Sequence, residues 1–232
     1  MKQIDSEKKL DRLKIDKLLK TIYSNNTTEE INFISNQLLQ ILGDFSEKSS
    51  NEEIGNKEKW NESHSVLITY ADSIYKTGEP TLITLQDVLS KHFGSLSRVV
   101  HILPFLKSTS DGGFAVSSYD SLEEKFGSWD DLKSISKNHV LMADLVLNHV
   151  SSSHPWVQQF IKSKEPGISN VFSPEQNLDW SNVVRPRSSS LFSQINTEDG
   201  PRQVWTTFGP DQIDLNRHNP KMTLEFLNLI IT

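Results

Sequence analysis

An α/β fold with a parallel sheet is what this 232-residue sequence predicts, and three observations carry the prediction. From Ser65 onward, short apolar strand patterns alternate with helical ones, as in units whose helices cover a parallel sheet. Residues 140–150 form an almost continuously apolar run, as expected of a strand buried on both faces, and the run ends in Asn148 and His149. Polar groups at the C-terminal end of such a strand mark the place where parallel α/β barrels carry their chemistry. Three strands cannot close a barrel of eight, and the apolar helix at the end of the chain needs sheet to cover. The expectation is therefore the N-terminal part of a (β/α)8 barrel, with a three-stranded doubly wound domain as the competing architecture.

Taken in order, Leu10, Leu13, Leu18, Leu19 and Ile22 fall near helical spacing. Thr27-Thr28-Glu29-Glu30 has the form of a capping box, in which a hydroxyl and a carboxylate satisfy the first orphan N–H groups of a helix. Ile31, Ile34, Leu38, Ile41 and Leu42 continue that helix to Gly43, so residues 1–44 read as a helical extension. Residues 45–64 are polar and read as a linker. The barrel part, 65–149, holds strand one at Val66–Ala71, helix one at Leu82–Phe93 and strand two at Val99–Phe105. Helix two lies within Leu122–Ser136, broken near Gly127, with Ser128 as cap and Asp131 three residues on; strand three is Val140–Leu147. Residues 150–218 exceed any ordinary loop and are expected to carry structure or function of their own, including a short helix opening at His154-Pro155. Asn219-Pro220 opens a final helix bearing Met222, Phe226, Leu227, Ile230 and Ile231, read as the third barrel helix over 219–232.

Composition narrows the function. The chain has 24 Lys and Arg against 30 Asp and Glu, a net charge of −6, so no basic face for nucleic acid is expected. No apolar stretch approaches the roughly 20 residues that span a bilayer, and the charged N-terminus lacks a signal-peptide core, so the cytoplasm is the expected compartment. With no cysteine, disulfides and thiolate chemistry are excluded.

Several segments recur in a characteristic order: Val66-Leu-Ile-Thr-Tyr-Ala-Asp72, His101-Ile-Leu-Pro-Phe105, Ser110-Asp-Gly-Gly-Phe114, Gly127-Ser-Trp-Asp-Asp131, Asp144 to His149, Arg185-Pro-Arg187, Val204-Trp-Thr-Thr-Phe208 and Gln212-Ile-Asp-Leu-Asn216. In order and spacing they resemble the sucrose phosphorylase and glucosylglycerate phosphorylase branch of the α-amylase superfamily, over about Trp60 to Ile231. The resemblance implies the N-terminal part of a (β/α)8 TIM barrel, of about three strands, with a long insertion after strand three. It implies a retaining α-glucoside phosphorylase that transfers glucose from a small α-glucoside, of the glucosylglycerate or sucrose type, to inorganic phosphate as co-substrate. A hydrolase or transglucosidase of the same superfamily, or an inactive carbohydrate-binding remnant, are the alternatives. No organic cofactor and no metal are implied. The expected partners are the glucoside, phosphate and the remainder of the barrel.

By the same resemblance, Asp111 and His149 hold hydroxyls of the glucosyl unit, Phe114 forms a platform under the ring, Arg187 helps bind phosphate, and Trp205 and Phe208 line the entrance. The residue chemistry suits those roles. Sugar hydroxyls take carboxylate and imidazole partners, the C–H faces of sugars pack on aromatics, and a guanidinium grips phosphate bidentately. Each group also has a plainer use: a tight turn at Asp111-Gly112-Gly113, core packing for Phe114, a structural histidine at 149, a solvated loop at Arg185-Pro186-Arg187, and aromatic anchors for the insertion at Trp205 and Phe208. Tyr70, Asp72 and His101 are expected to be structural residues around the pocket floor, with Asp144 orienting its neighbours. Asn148 matches a calcium ligand of some amylases, but one amide is not a metal site. The nucleophilic Asp and the acid Glu of such a reaction would follow strands four and five, beyond Thr232, so neither is assigned in this chain.

Overall fold

The computed structural model describes residues 2–49, 64–94, 96–175, 178–184 and 187–231, the first two helices with their side chains over residues 12–44. The chain forms two compact units, residues 1–57 with 216–232, and residues 58–215.

In the first unit, α1 (Lys2–Ile22) and α2 (Thr28–Ser49) form the expected helical hairpin. The capping box is present: Glu30 N–H donates to Thr27 Oγ1 at 3.2 Å, and Thr27 N–H donates to Glu30 Oε2 at 2.8 Å. Leu19, Tyr23, Ile31 and Ile34 close the core of the hairpin. Gly43 does not end α2, which continues to Ser49. A glycine inside a helix costs only about 1 kcal/mol, and no residue here breaks the hydrogen-bond ladder as proline would. Within the expected linker, residues 50–63 lie outside the described residues. The final helix, α7 (Pro220–Ile231), belongs to this unit, where Leu224 packs on the hairpin core and Tyr23 Oη donates to Thr223 Oγ1 at 3.0 Å.

The second unit holds the parallel sheet. Strands β1 (Val66–Thr69), β2 (Val99–Ile102) and β3 (Val140–Ala143) pair in that order, with Val66, Val99 and Val140 in one row. Leu67, Val100, Ile102 and Leu141 point to one face, where Leu82, Leu85 and Leu89 and then Leu132 and Ile135 cover them. Those residues come from α3 (Thr81–Val88), prolonged by a wider turn through Phe93, and from α4 (Trp129–Ser136). Ser128 caps α4 reciprocally with Asp131, as its sequence predicts.

The opposite face carries the row Val66, Ile68, Val99, His101, Val140 and Met142. Here expectation and structure part. The run Val140–Leu147 is not a buried strand: its ladder stops at Ala143, and Val140 is 54% exposed against 3% for Val99, its neighbour in the same row. Two causes are visible. Pro104 removes a backbone donor just after β2, and among the described residues β3 pairs with β2 alone. An apolar face of this kind is what the interior of a (β/α)8 barrel requires, and the unit shows three parallel strands of that architecture with helices on the outside.

The long segment after β3 has structure, as expected. It contains β4 (His149–Ser151), α5 (Pro155–Ile161) and α6 (Gly167–Asn170), a hairpin of β5 (Phe192–Thr197) with β6 (Gly200–Trp205), and β7 (Gln212–Asp214). His154 caps α5, its Nδ1 accepting from Trp156 N–H at 3.2 Å, with proline in the first turn. The residues that matter most for the site are β4 and β7, which pair antiparallel with His149 opposite Asp214.

Candidate functional site

Three pieces of chain converge beside the C-terminal ends of β1 and β3. The first is the turn after β2. Asp111, Gly112 and Gly113 all have positive φ, at 54°, 62° and 106°. Glycine is required at 113, because a Cβ there would lie 2.5 Å from Pro104 O. Asp111 tolerates the left-handed region better than most side-chain-bearing residues, and its strain there points toward a functional use. The second piece is β4 with Asn148 before it. The third is β7, entered by a turn closed by Gln212 N–H donating to Gly209 O at 2.9 Å.

These pieces enclose a cavity of about 600 Å³, lined among others by Tyr70, Asp111, Phe114, Asp144, His149, Arg187, Phe208 and Gln212. That volume suits a hexose with a further small group. Five of the six candidate residues, Asp111, Phe114, His149, Arg187 and Phe208, meet there. Trp205 does not line the cavity: it packs with Phe172, Trp180 and Phe192, ring centroids 5.0 to 5.4 Å away, and its Nε1–H donates to Thr207 Oγ1 at 2.9 Å. Its position is that of an anchor of the insertion. Arg187 lies on the cavity with its Nη2 3.9 Å from Asp111 Oδ2, whereas Arg185 and Pro186 lie outside the described residues.

His149 is 5% exposed, its ring 5.0 Å from that of Phe208. Its Nε2 is 3.1 Å from Phe114 O, and its Nδ1 is 3.4 Å from Asn148 Nδ2. A carbonyl can only accept and an amide nitrogen can only donate, so these two neighbours favour a neutral ring with hydrogen on Nε2, while the Gln212 amide nitrogen, 3.1 Å from that same atom, opposes it. Burial holds its pKa below the ordinary histidine value, against the upward pull of the Phe114 carbonyl and of the Asp214 and Asp111 carboxylates. Asp214 lies opposite on β7. Burial pushes its carboxyl above the ordinary value, opposed by the hydroxyl and N–H of Thr207, which donate at 2.5 and 3.1 Å, and by Asn148.

Gln212 was not among the candidates. Its Nε2 donates to Asp111 Oδ2 at 2.9 Å and lies 3.1 Å from His149 Nε2, which makes it the link between Asp111 and His149. The sequence signal was the Gln212–Asn216 motif itself, which marked the segment but not the side chain. Asp144 lines the cavity and its Oδ2 is 2.9 Å from Nε2 of His101, a neighbour that it orients and that does not itself line the cavity. Tyr70 also lines the cavity, close to Gly112. Asp72 instead forms an exposed ion pair with Lys125 at 2.8 Å. Among the described residues, no cluster of three or more His, Asp or Glu has the geometry of a metal site.

The site therefore offers a carboxylate, an imidazole and an amide on one wall, aromatic faces at Phe114 and Phe208, and a guanidinium at the mouth. Comparison with known proteins agrees with that chemistry. Residues 93–231 match the model of the alpha amylase catalytic domain. The glucosylglycerate phosphorylase of Allomeiothermus silvanus is 42% identical over 173 residues, covering 74% of this chain and 31% of that protein. The sucrose phosphorylase of Agrobacterium vitis is 35% identical, covering 66% of this chain and 33% of that one. The crystal structure of sucrose 6F-phosphate phosphorylase from Thermoanaerobacter thermosaccharolyticum superposes with a TM-score of 0.64 at 33% identity, covering 75% of this chain and 37% of that one. The chain spans about a third of the length of these relatives. It belongs to the alpha-amylase family, within the branch that holds the glucosylglycerate and sucrose phosphorylases.

Proposed function

We propose that this chain forms the glucosyl-binding wall and part of the phosphate-binding mouth of a retaining α-glucoside phosphorylase, acting on a small glucoside of the glucosylglycerate or sucrose type. One observation supports the reading above the others. Arg187 stands 3.9 Å from Asp111 on the cavity that also holds His149 and Phe114. A hydrolase has no need of a guanidinium where water attacks, while a phosphate acceptor gains a charge-assisted partner. His149, neutral because buried, and Asp111 hold sugar hydroxyls, and Phe114 supports the ring. The exposed sheet face is where the remaining barrel strands would pack, and the carboxylates that form and break a glucosyl intermediate would come from those strands.

The test is made on the completed enzyme, this chain joined to the remaining barrel strands. Glucosylglycerate and sucrose are each incubated with and without inorganic phosphate. α-Glucose 1-phosphate is expected only with phosphate, and Arg187→Ala should weaken phosphate use by about 100-fold while leaving background hydrolysis near its starting level. Equal glucose release without phosphate would establish a hydrolase, and no turnover of any α-glucoside would establish a remnant. The 232-residue chain alone should yield neither product.

A further inference from the structure

Asp211 does not line the cavity, yet its carboxylate accepts four hydrogen bonds beside it. Its two oxygens serve two different pieces of chain. Oδ2 accepts from Thr109 Oγ1 at 2.6 Å and from Ser110 Oγ at 2.5 Å, both just before Asp111. Oδ1 accepts from Ser152 N–H at 3.3 Å and from the Ser152 hydroxyl, three residues after His149. A further contact ties the same two pieces directly, Thr109 Oγ1 lying 2.5 Å from Ser151 Oγ.

A carboxylate accepts and never donates, which gives this cluster a direction. The Thr109 hydroxyl proton points to Asp211, so the Ser151 hydroxyl must donate to Thr109, and Ser151 Oγ accepts from Ser153 N–H at 3.0 Å. Burial works against ionisation of Asp211, but the hydroxyls of Ser110, Ser152 and Thr109 outweigh it and hold the carboxyl below its ordinary value. It remains an acceptor through neutral pH. Asp211 sits in the turn Gly209-Pro210-Asp211-Gln212, so the chain sends Asp211 to the loop hydroxyls and the next residue, Gln212, to Asp111 itself.

We propose that Asp211 is a positioning residue that holds the loop carrying Asp111 and the segment following His149 in a single register, so that both side chains face one ligand. Asp111 has unfavourable backbone geometry, at φ 54°, and the loop's own hydrogen bonds, Thr109 N–H to Ala115 O and Ala115 N–H to Ser110 O, close the turn without joining Asp111 to the segment after His149. Without Asp211, two hydroxyls of the loop and one of the β4 segment lose their common acceptor. The ties that remain, such as Ser151 N–H to Val116 O at 2.8 Å and His149 Nε2 beside Phe114 O, lie toward the far end of the loop, so the stretch from Thr109 to Asp111 can shift away from His149.

The inference rests on reading Asp111 and His149 as ligand-binding groups, but its test does not need turnover. In the 232-residue chain, the ring nitrogens of His149 are titrated by 15N NMR, and amide exchange is followed at Thr109 and Ala115, which close the loop through Ala115 O and Ser110 O. In Asp211→Ala, exchange at these two amides should rise by about tenfold or more, while the Leu103 amide, bonded to Thr69 O in the sheet, keeps its rate. The His149 midpoint should fall, because the Asp111 carboxylate that pulls it upward has moved away. Ser110→Ala removes one of the two hydroxyls on Oδ2 and should shift the same signals in the same sense by less. Unchanged exchange and an unchanged His149 midpoint in Asp211→Ala would overturn the proposal. Should that variant lose protection everywhere, unchanged signals in Ser110→Ala would overturn it instead. Shifts as expected, together with no phosphorolysis by the completed enzyme, would leave the positioning role standing and remove the phosphorylase reading.

Discussion

Gln212 Nε2 lies 3.1 Å from His149 Nε2, and the two nitrogens face different acceptors, Asp111 Oδ2 for the amide and Phe114 O for the ring. If the ring carries its hydrogen on Nε2, the second N–H of Gln212 meets a nitrogen that cannot accept. If the hydrogen is on Nδ1, the Phe114 carbonyl loses its donor. Either way one polar group is left short, and a ligand hydroxyl, able to donate and accept at once, resolves the conflict. Gln212→Leu should therefore lower kcat/KM of the completed enzyme by roughly 10- to 100-fold, the scale of one hydrogen bond to a charged group. Gln212→Glu should be worse, since it sets a second carboxylate against Asp111. Steady-state phosphorolysis by both variants checks the prediction, and native kinetics would place the ligand elsewhere.

His149→Ala and Asp111→Ala should reduce turnover far more than they alter folding. Hydroxyl contacts that strengthen as the sugar ring flattens contribute several kcal/mol to glycoside chemistry, whereas neither side chain belongs to the apolar core under β2. The measurement is kcat/KM beside a melting curve. Near-native turnover in both variants would take them out of the site.

Gly113→Ala should destabilise the loop by about 3 kcal/mol, combining a φ of 106° with a Cβ placed 2.5 Å from the Pro104 carbonyl oxygen. Because the obstacle is backbone, no side chain can turn aside to relieve it. Chemical denaturation measures the loss. A change under 1 kcal/mol would mean that the turn has another conformation open to it.

Much of this was legible locally. The capping boxes at Thr27/Glu30 and Ser128/Asp131 are decided within four residues, and the strand starts at Val66, Val99 and Val140 stand at the beginning of apolar runs. What the sequence hid is non-local. β4 and β7 are three-residue strands whose partners lie some sixty positions apart, too short to show a period, and Gln212 and Asp211 acquire their roles only when that ladder forms. Trp205 illustrates the converse. An aromatic at the end of a strand carries no sign of which side it faces, and here Phe172, Trp180 and Phe192 claim it. The run after Val140 differs because continuous apolarity records the surroundings a strand is made for, whereas its exposure reflects the neighbours it has in this chain.

His154 supplies a pH signature independent of any substrate. It is 4% exposed, between Tyr119 and Trp156, and burial lowers its pKa from 6.5 to about 4. Between those values the unfolded chain takes up a proton that the folded chain refuses. Its contribution to stability is thus complete above pH 6.5 and is lost as the pH falls through about 4, amounting to about 3 kcal/mol over the interval. His149, also lowered by burial, adds a loss of the same sign, whereas Asp214, raised by burial, works the other way because its protonated form is favoured in the folded chain. His154→Asn keeps an acceptor for the Trp156 N–H at the start of α5 but removes the titration. The variant should start less stable at pH 7.5, having lost the ring packing, and should then lose about 3 kcal/mol less than the parent on going to pH 4.5. Unfolding free energies at the two pH values measure this directly, and parallel losses in the two proteins would assign the acid sensitivity to other groups.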